Sequence, residues 1–347
     1  SLVGSEMCIR DRMTNVGQTS NRGIELQLNA WLIETKDFSL NATFNIGHNK
    51  NKIDKLASGE KEWILTSAWR NDVVNSDDYR AYVGGTSGLI YGYVNDGFYT
   101  VADFESFDSK SRTWKLKEGV VDSSPLSDTP RPGNAKFKKL TPVDPNSTNP
   151  YQLTEADRTV IGNTTPKFSG GFGLNATYKG FDMSMFFNFM YDFDVLNANK
   201  IMLTTWADNK ENNFLMDIAS DKRWRNFDDM GNEIRYSPEV LAEFNKNATM
   251  WNPTSIGRPI CMSYAVEDGS FLRLNSATLG YTLPSVWTKK VGLSKVRFYV
   301  SGNNLFTLTG YSGYDPEVNI ATGLTPNIDY NRYPRSRTYT FGAQLTF

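Results

Sequence analysis

The sequence has one histidine, two cysteines, a net charge of −1 and no long apolar run. The lone histidine, His48, excludes catalytic schemes that need a second imidazole and reads as a surface residue at a strand end. Cys8 and Cys261 cannot build a disulfide framework, and neither stands in a metal-ligand spacing, so cysteine usage leaves the redox compartment open. Near-neutrality leaves no basic surplus for nucleic acid. No apolar stretch approaches the roughly 18 residues of a spanning helix, which excludes a transmembrane helix. It does not exclude a barrel wall, where only alternate residues meet lipid and mean hydropathy stays below zero, as it does here.

What the chain does have is a period of two. In its last stretch Tyr339, Phe341, Ala343, Leu345 and Phe347 are apolar and alternate with Thr338, Thr340, Gly342, Gln344 and Thr346. Successive strand residues point to opposite faces, so this run predicts a ribbon with one greasy and one wet face, long enough for a tilted bilayer-crossing strand. A terminal strand needs partners on both edges, and barrel closure removes the edges altogether. Tyr339, Phe341, Leu345 and Phe347 are therefore candidates for barrel closure.

The same alternation recurs upstream and predicts strands over about 21–33, 38–51, 168–178, 181–193, 270–283, 295–308 and 335–347. Leu272 and Leu274 are out of phase with Ala277 and Leu279, which predicts a bulge or a change of environment there. Connections alternate strictly between short and long. That asymmetry predicts an all-β transmembrane antiparallel barrel with short turns in the periplasm, long extracellular loops and a periplasmic carboxyl terminus. A soluble β-sandwich also alternates but usually lacks this one-sided loop bias. A short helix is expected around 212–221.

The loops carry Trp63, Trp69, Tyr91, Tyr93, Trp206, Trp224 and Trp251, whose flat faces either stack on sugar or anchor a partner, or pack small cores inside the loops. The run from Asp228 to Glu233 offers oxygen ligands but lacks the length and order of an EF-hand, and reads as a solvated turn. Arg273, Arg297 and Arg337 are expected on the wet face or at strand ends. No spacing marks a catalytic pair, so no catalytic residue, metal or cofactor is expected.

Several motifs together resemble the C-terminal part of SusC/RagA-type TonB-dependent outer-membrane transporters. They are Asn21-Arg22-Gly23-Ile24-Glu25, Tyr91-Gly92-Tyr93 before Asp96-Gly97-Phe98-Tyr99, and Asp157-Arg158-Thr159-Val160-Ile161-Gly162. Further along are Tyr178-Lys179-Gly180-Phe181-Asp182, Leu279-Gly280-Tyr281-Thr282-Leu283-Pro284, Ser301-Gly302-Asn303-Asn304-Leu305-Phe306 and Gly313-Tyr314-Asp315-Pro316-Glu317. The resemblance covers about 13–347 and implies a plugged barrel of about 22 strands, of which this chain supplies the last seven. It also implies a SusD-like surface lipoprotein, energy from TonB, ExbB and ExbD through an N-terminal part, insertion by the barrel assembly machinery, and import of oligosaccharides or peptides. Where the family often has an Asp- and Gly-rich turn, this chain has Thr141-Pro142-Val143-Asp144-Pro145, so a cation there does not carry over. A siderophore or cobalamin receptor and a non-transporting glycan-binding β-module are the alternatives. Residues 1–12 show neither strand alternation nor signal-peptide order and resemble a non-native artefact.

Overall fold

The computed structural model describes residues 17–347, less 71–72, 74–76, 127–128, 206–212 and 318–322. Seven long strands form one antiparallel sheet: β1 Gln18–Glu34, β2 Phe38–Lys55, β3 Phe168–Tyr178, β4 Phe181–Tyr191, β5 Phe271–Thr282, β6 Lys295–Thr309 and β7 Thr338–Thr346. Their spatial order follows the chain, so the sheet is a plain meander with β1 and β7 at its two ends.

Register decides the character of each face. One row of paired residues reads Leu28, Phe44, Phe172, Phe187, Leu274 and Phe306; another reads Leu40, Ala176, Met183, Leu279, Val300 and Phe341. Because paired residues share a face, the alternation within each strand becomes a continuous apolar band across all seven. Much of this band is exposed, Ile24 at 78% and Phe341 at 80%, while Leu274 is buried. The opposite face is a polar ladder. There Asn41 Nδ2 donates to Asn29 Oδ1 at 2.7 Å, Ser39 and Thr177 hydroxyls meet at 2.6 Å, and Arg297 Nε donates to Asp182 Oδ1 at 2.8 Å. Gly280 leaves room for that arginine, since a Cβ there would overlap the guanidinium.

The phase break before Ala277 is a bulge. Leu274 pairs with Phe187 and Ser276 with Phe186, so Asn275 is extra and Leu274 rejoins the face of Ala277. The hairpin between β3 and β4 turns on Lys179 and Gly180, both at positive φ (45° and 91°), the two-residue arrangement whose twist matches the strands. Between β5 and β6 lies a short helix, α1, Ser285–Thr288.

The helix expected around 212–221 is replaced by one 3-10 turn, Met216–Ile218, within the described part of that stretch. A helix this short has little intrinsic stability, and burial of Ile218 in a loop core stabilises the tighter turn instead.

Candidate functional site

The three long connections, 56–167, 192–270 and 310–337, leave the same end of the sheet and share hydrophobic cores. One core joins Tyr79 and Ile90 of the first loop to Leu196, Ile201 and Ala265 of the second and Ile328 of the third. A second joins Phe137 and Leu153 to Trp251, Ile256 and Met262. A small sheet of Asp194–Asn197, Val266–Asp268 and Ile328–Asp329 ties the second loop to the third. The loops thus make one packed cap.

The cap also grips the wall. Arg273 of β5 is buried, with Nη2 2.6 Å from Asp315 Oδ1 and 3.2 Å from Glu317 Oε2, and Arg335 Nη1 lies 3.4 Å from the same Glu317 oxygen. A buried guanidinium between two carboxylates fixes where the third loop lands. Arg273 lies on the wet face, as the phase predicts. Phe271 beside it packs with Phe193 and Tyr311.

Two carboxylates inside the cap behave oppositely. Burial would raise the carboxyl of Asp157, but donors from Thr141, Thr154 and Leu140 hold it well below the usual range. Lys139 Nζ adds a contact at 3.3 Å to Asp157 and bonds Thr141 Oγ1 at 2.9 Å and the Gln152 carbonyl at 3.0 Å. An ammonium thus sits among the oxygens that organise the turn. Asp78 accepts from the backbone and hydroxyl of Ser67, and burial lifts its carboxyl to about 6. Among the described residues no cluster of His, Cys, Asp and Glu is arranged to hold a metal. The turn at Asp228 satisfies itself through Met230 N at 2.9 Å and Asn232 N at 2.8 Å.

The structure places most of the aromatic candidates inside the cap. Trp69 packs edge-on against Tyr330, Tyr93 against Phe137, Trp224 tilts on Phe98, and Trp251 lies edge-on to Tyr264 with Nε1 donating to the Thr204 carbonyl at 3.4 Å. All four are buried. Tyr91 is buried under the guanidinium groups of Arg158 and Arg80, and half-buried Trp63 packs at the first loop's base and donates to Glu60. A buried ring offers no face to a ligand, so Trp69, Tyr91, Tyr93, Trp224 and Trp251 pack as loop core, while Trp63 keeps part of its ring accessible. Trp206 lies outside the described residues.

A different set of residues lines two adjoining clefts in the cap. A cleft of about 270 Å³ is lined by Trp114, Arg131, Asn134, Arg235 and Tyr236 among others. It adjoins a second, of about 410 Å³, that shares Asn226, Arg235 and Thr254 and adds Arg223, Arg225 and Asp228. Trp114 is held against Phe107 with ring centroids 4.7 Å apart, and Phe107 stacks on Tyr236 at 6.2 Å. Arg225 pairs with Asp229 at 2.8 Å and Arg235 with Glu233. Burial, and then the neighbouring Arg225, push the Arg223 guanidinium below its ordinary value. An aromatic wall opposite arginines and amides can hold a polar ligand by stacking and by charged hydrogen bonds. Sequence reasoning missed these residues because they come from two aperiodic loops, and only the fold brings them together.

No protein-family profile matches the chain. Over 98% of its length it is 31% identical to TonB-dependent receptor P3 of Formosa agariphila, of which it covers 30%. It is 26% identical to TonB-dependent receptor SusC of Bacteroides thetaiotaomicron, over 96% of the chain and 27% of that protein. The structure of the RagAB peptide transporter matches 96% of the chain, at 23% identity and a TM-score of 0.62, over 30% of the solved chain. The chain is SusC/RagA-like. Its seven strands are therefore a segment of transmembrane barrel wall, and the exposed band is that wall's outward face. The SusC/RagA-like chain spans about 30% of the length of the curated relatives it matches. Those relatives are named as receptors, not as enzymes.

Proposed function

We propose that this chain forms wall and outer loops of a Gram-negative outer-membrane importer that takes up nutrient oligosaccharides or peptides. The carrying observation is the juxtaposition of a continuous exposed apolar band with a packed, arginine- and aromatic-lined cap at one end only. Lipid covers the band, the cap faces outward to capture substrate, and the short turns and carboxyl terminus lie in the periplasm. A SusD-like lipoprotein lids the cap, and TonB, ExbB and ExbD supply the energy. The barrel assembly machinery inserts the wall, with Tyr339, Phe341, Leu345 and Phe347 presented by its last strand. Import of this kind makes and breaks no covalent bond in the substrate. Likeness to SusC and to a peptide transporter favours these substrate classes over a siderophore or cobalamin.

Orientation tests the proposal directly. With Cys8 replaced by serine throughout, cysteines replace exposed Met230 in the cap and Lys179 in a short turn, and the buried Cys261 stays silent. A membrane-impermeant maleimide added to intact cells is expected to label Met230→Cys at once, and Lys179→Cys only after the outer membrane is opened. The reverse pattern, or equal labelling of both, would overturn the orientation.

A further inference from the structure

The connection between β5 and β6 differs from the other two short turns. Residues 283–295 contain three lysines and no acid, and they fold into α1 followed by a 3-10 turn, Lys289–Val291, closed by Gly292 at φ 75°. Val286, Trp287 and Val291 are exposed, Trp287 at 60%. Apolar side chains on a turn surrounded by water would be unfavourable, and the neighbours of this turn in the sheet all belong to this chain.

The burial pattern says on which side the segment lies. Val296 belongs to the apolar face, in register with Leu345 and two residues before Phe298. Phe298 and Leu345 are each 51% accessible, whereas Val296 is 6%. The helix touches β6, and Leu283 N donates to the Val296 carbonyl at 2.9 Å. The connection therefore folds back over the end of the apolar band, which makes Val286, Trp287 and Val291 continuous with it.

We infer that 285–291 is an interfacial anchor that docks on the anionic phospholipid surface bordering the barrel, resting on the outer-membrane reading above. Trp287 sits at headgroup depth, where an amphipathic ring is most favourable, and Val286 and Val291 enter the edge of the acyl region. Lys289 and Lys290 meet lipid phosphates, a charge match that the acid-free segment does not oppose. Continuity with the lipid band and this charge match favour phospholipid over a soluble protein or a second copy of the chain.

The test reconstitutes the full chain into phosphatidylethanolamine and phosphatidylglycerol vesicles whose acyl chains carry bromine close to the headgroup or near the chain end. The Trp287 emission, taken as wild type minus Trp287→Phe, is expected to be quenched about twofold more strongly by the shallow bromines. Lys289→Glu with Lys290→Glu should reduce that quenching. A second protein, Phe341→Trp made together with Trp287→Phe, reports the wall. If the wall reporter is quenched and Trp287 emission is not, the anchor is overturned and the wall stands. Equal quenching of Trp287 by both bromines would place it in the acyl interior and also overturn the interfacial anchor. If neither position responds, the membrane reading falls, and the anchor with it.

Discussion

The wall and the cap use the same amino acids in opposite ways. In the wall Phe341, Phe298 and Ile24 point outward and Asn29, Asn41 and Thr177 lie on the polar ladder within. In the cap Trp251, Phe137 and Ile201 are buried and the polar turns lie outside. The wall is stabilised by backbone ladders that leave its apolar side chains for an outside solvent of lipid, while the cap must make its own core as any water-soluble domain does. One chain thus folds against two solvents. The boundary between them is marked by Arg273, the buried charge that holds the third loop to β5.

That boundary is where the comparison breaks most sharply. Arg273→Met leaves Asp315 buried without its cation and Glu317 with only Arg335, and is expected to cost about 3–5 kcal/mol locally. Hydrogen exchange would show the 310–337 loop opening while β1–β4 stay protected, and adding Asp315→Asn with Glu317→Gln should restore much of the protection. Next in size, Leu174→Arg in the middle of β3 places a charge on the outward face and should destabilise the wall by about 2–4 kcal/mol in urea titration of vesicle-bound protein. The same charge at Met230→Arg, on the cap's exposed turn, should change stability by less than about 0.5 kcal/mol.

A third prediction is specific to the cap and comes from Asp78. Its folded carboxyl keeps its proton to about pH 6, against about 4 unfolded, so its contribution is most favourable below pH 4 and is lost as pH rises to 6. The span is about 3 kcal/mol. Asp157 has the opposite sign: its carboxyl is held below its ordinary value, and the stability it contributes is lost as pH falls through the acid range. Comparing wild type with Asp78→Asn isolates the first effect. The difference in cap protection between them should grow from pH 4 to pH 6 and then stay level, and a flat difference would sink the assignment. Last, Trp114→Ala should weaken substrate capture by about 1–2 kcal/mol with the wall untouched, measured as binding to cells without energised uptake.

How legible each region was follows from its periodicity. The terminal strand expected over 335–347 is observed over Thr338–Thr346, and the hairpin on Lys179 and Gly180 falls where two alternating runs meet. A side-chain period of two survives in a strand whatever its partners, so it can be read from one chain alone. The bulge at Asn275 was visible as a phase break. The cap had no such signal. Its tryptophans stood out by residue type, yet residue type does not separate a stacking face from a buried ring, and the structure buried Trp69, Trp224 and Trp251. Trp114 and Arg131 come from one loop and Arg235 and Tyr236 from another, and they meet only after the loops have packed.

The sequence by itself determined the seven strands, the two faces of each and the strict alternation of short and long connections, because these depend on local sterics and on the solvent each side chain meets. Only the tertiary structure decided which loop aromatics are core, which arginines line a cleft and which is locked behind two carboxylates, and that the β5–β6 turn lies over the apolar band. Those outcomes depend on contacts between residues distant in the chain, and nothing in a period of two encodes such contacts.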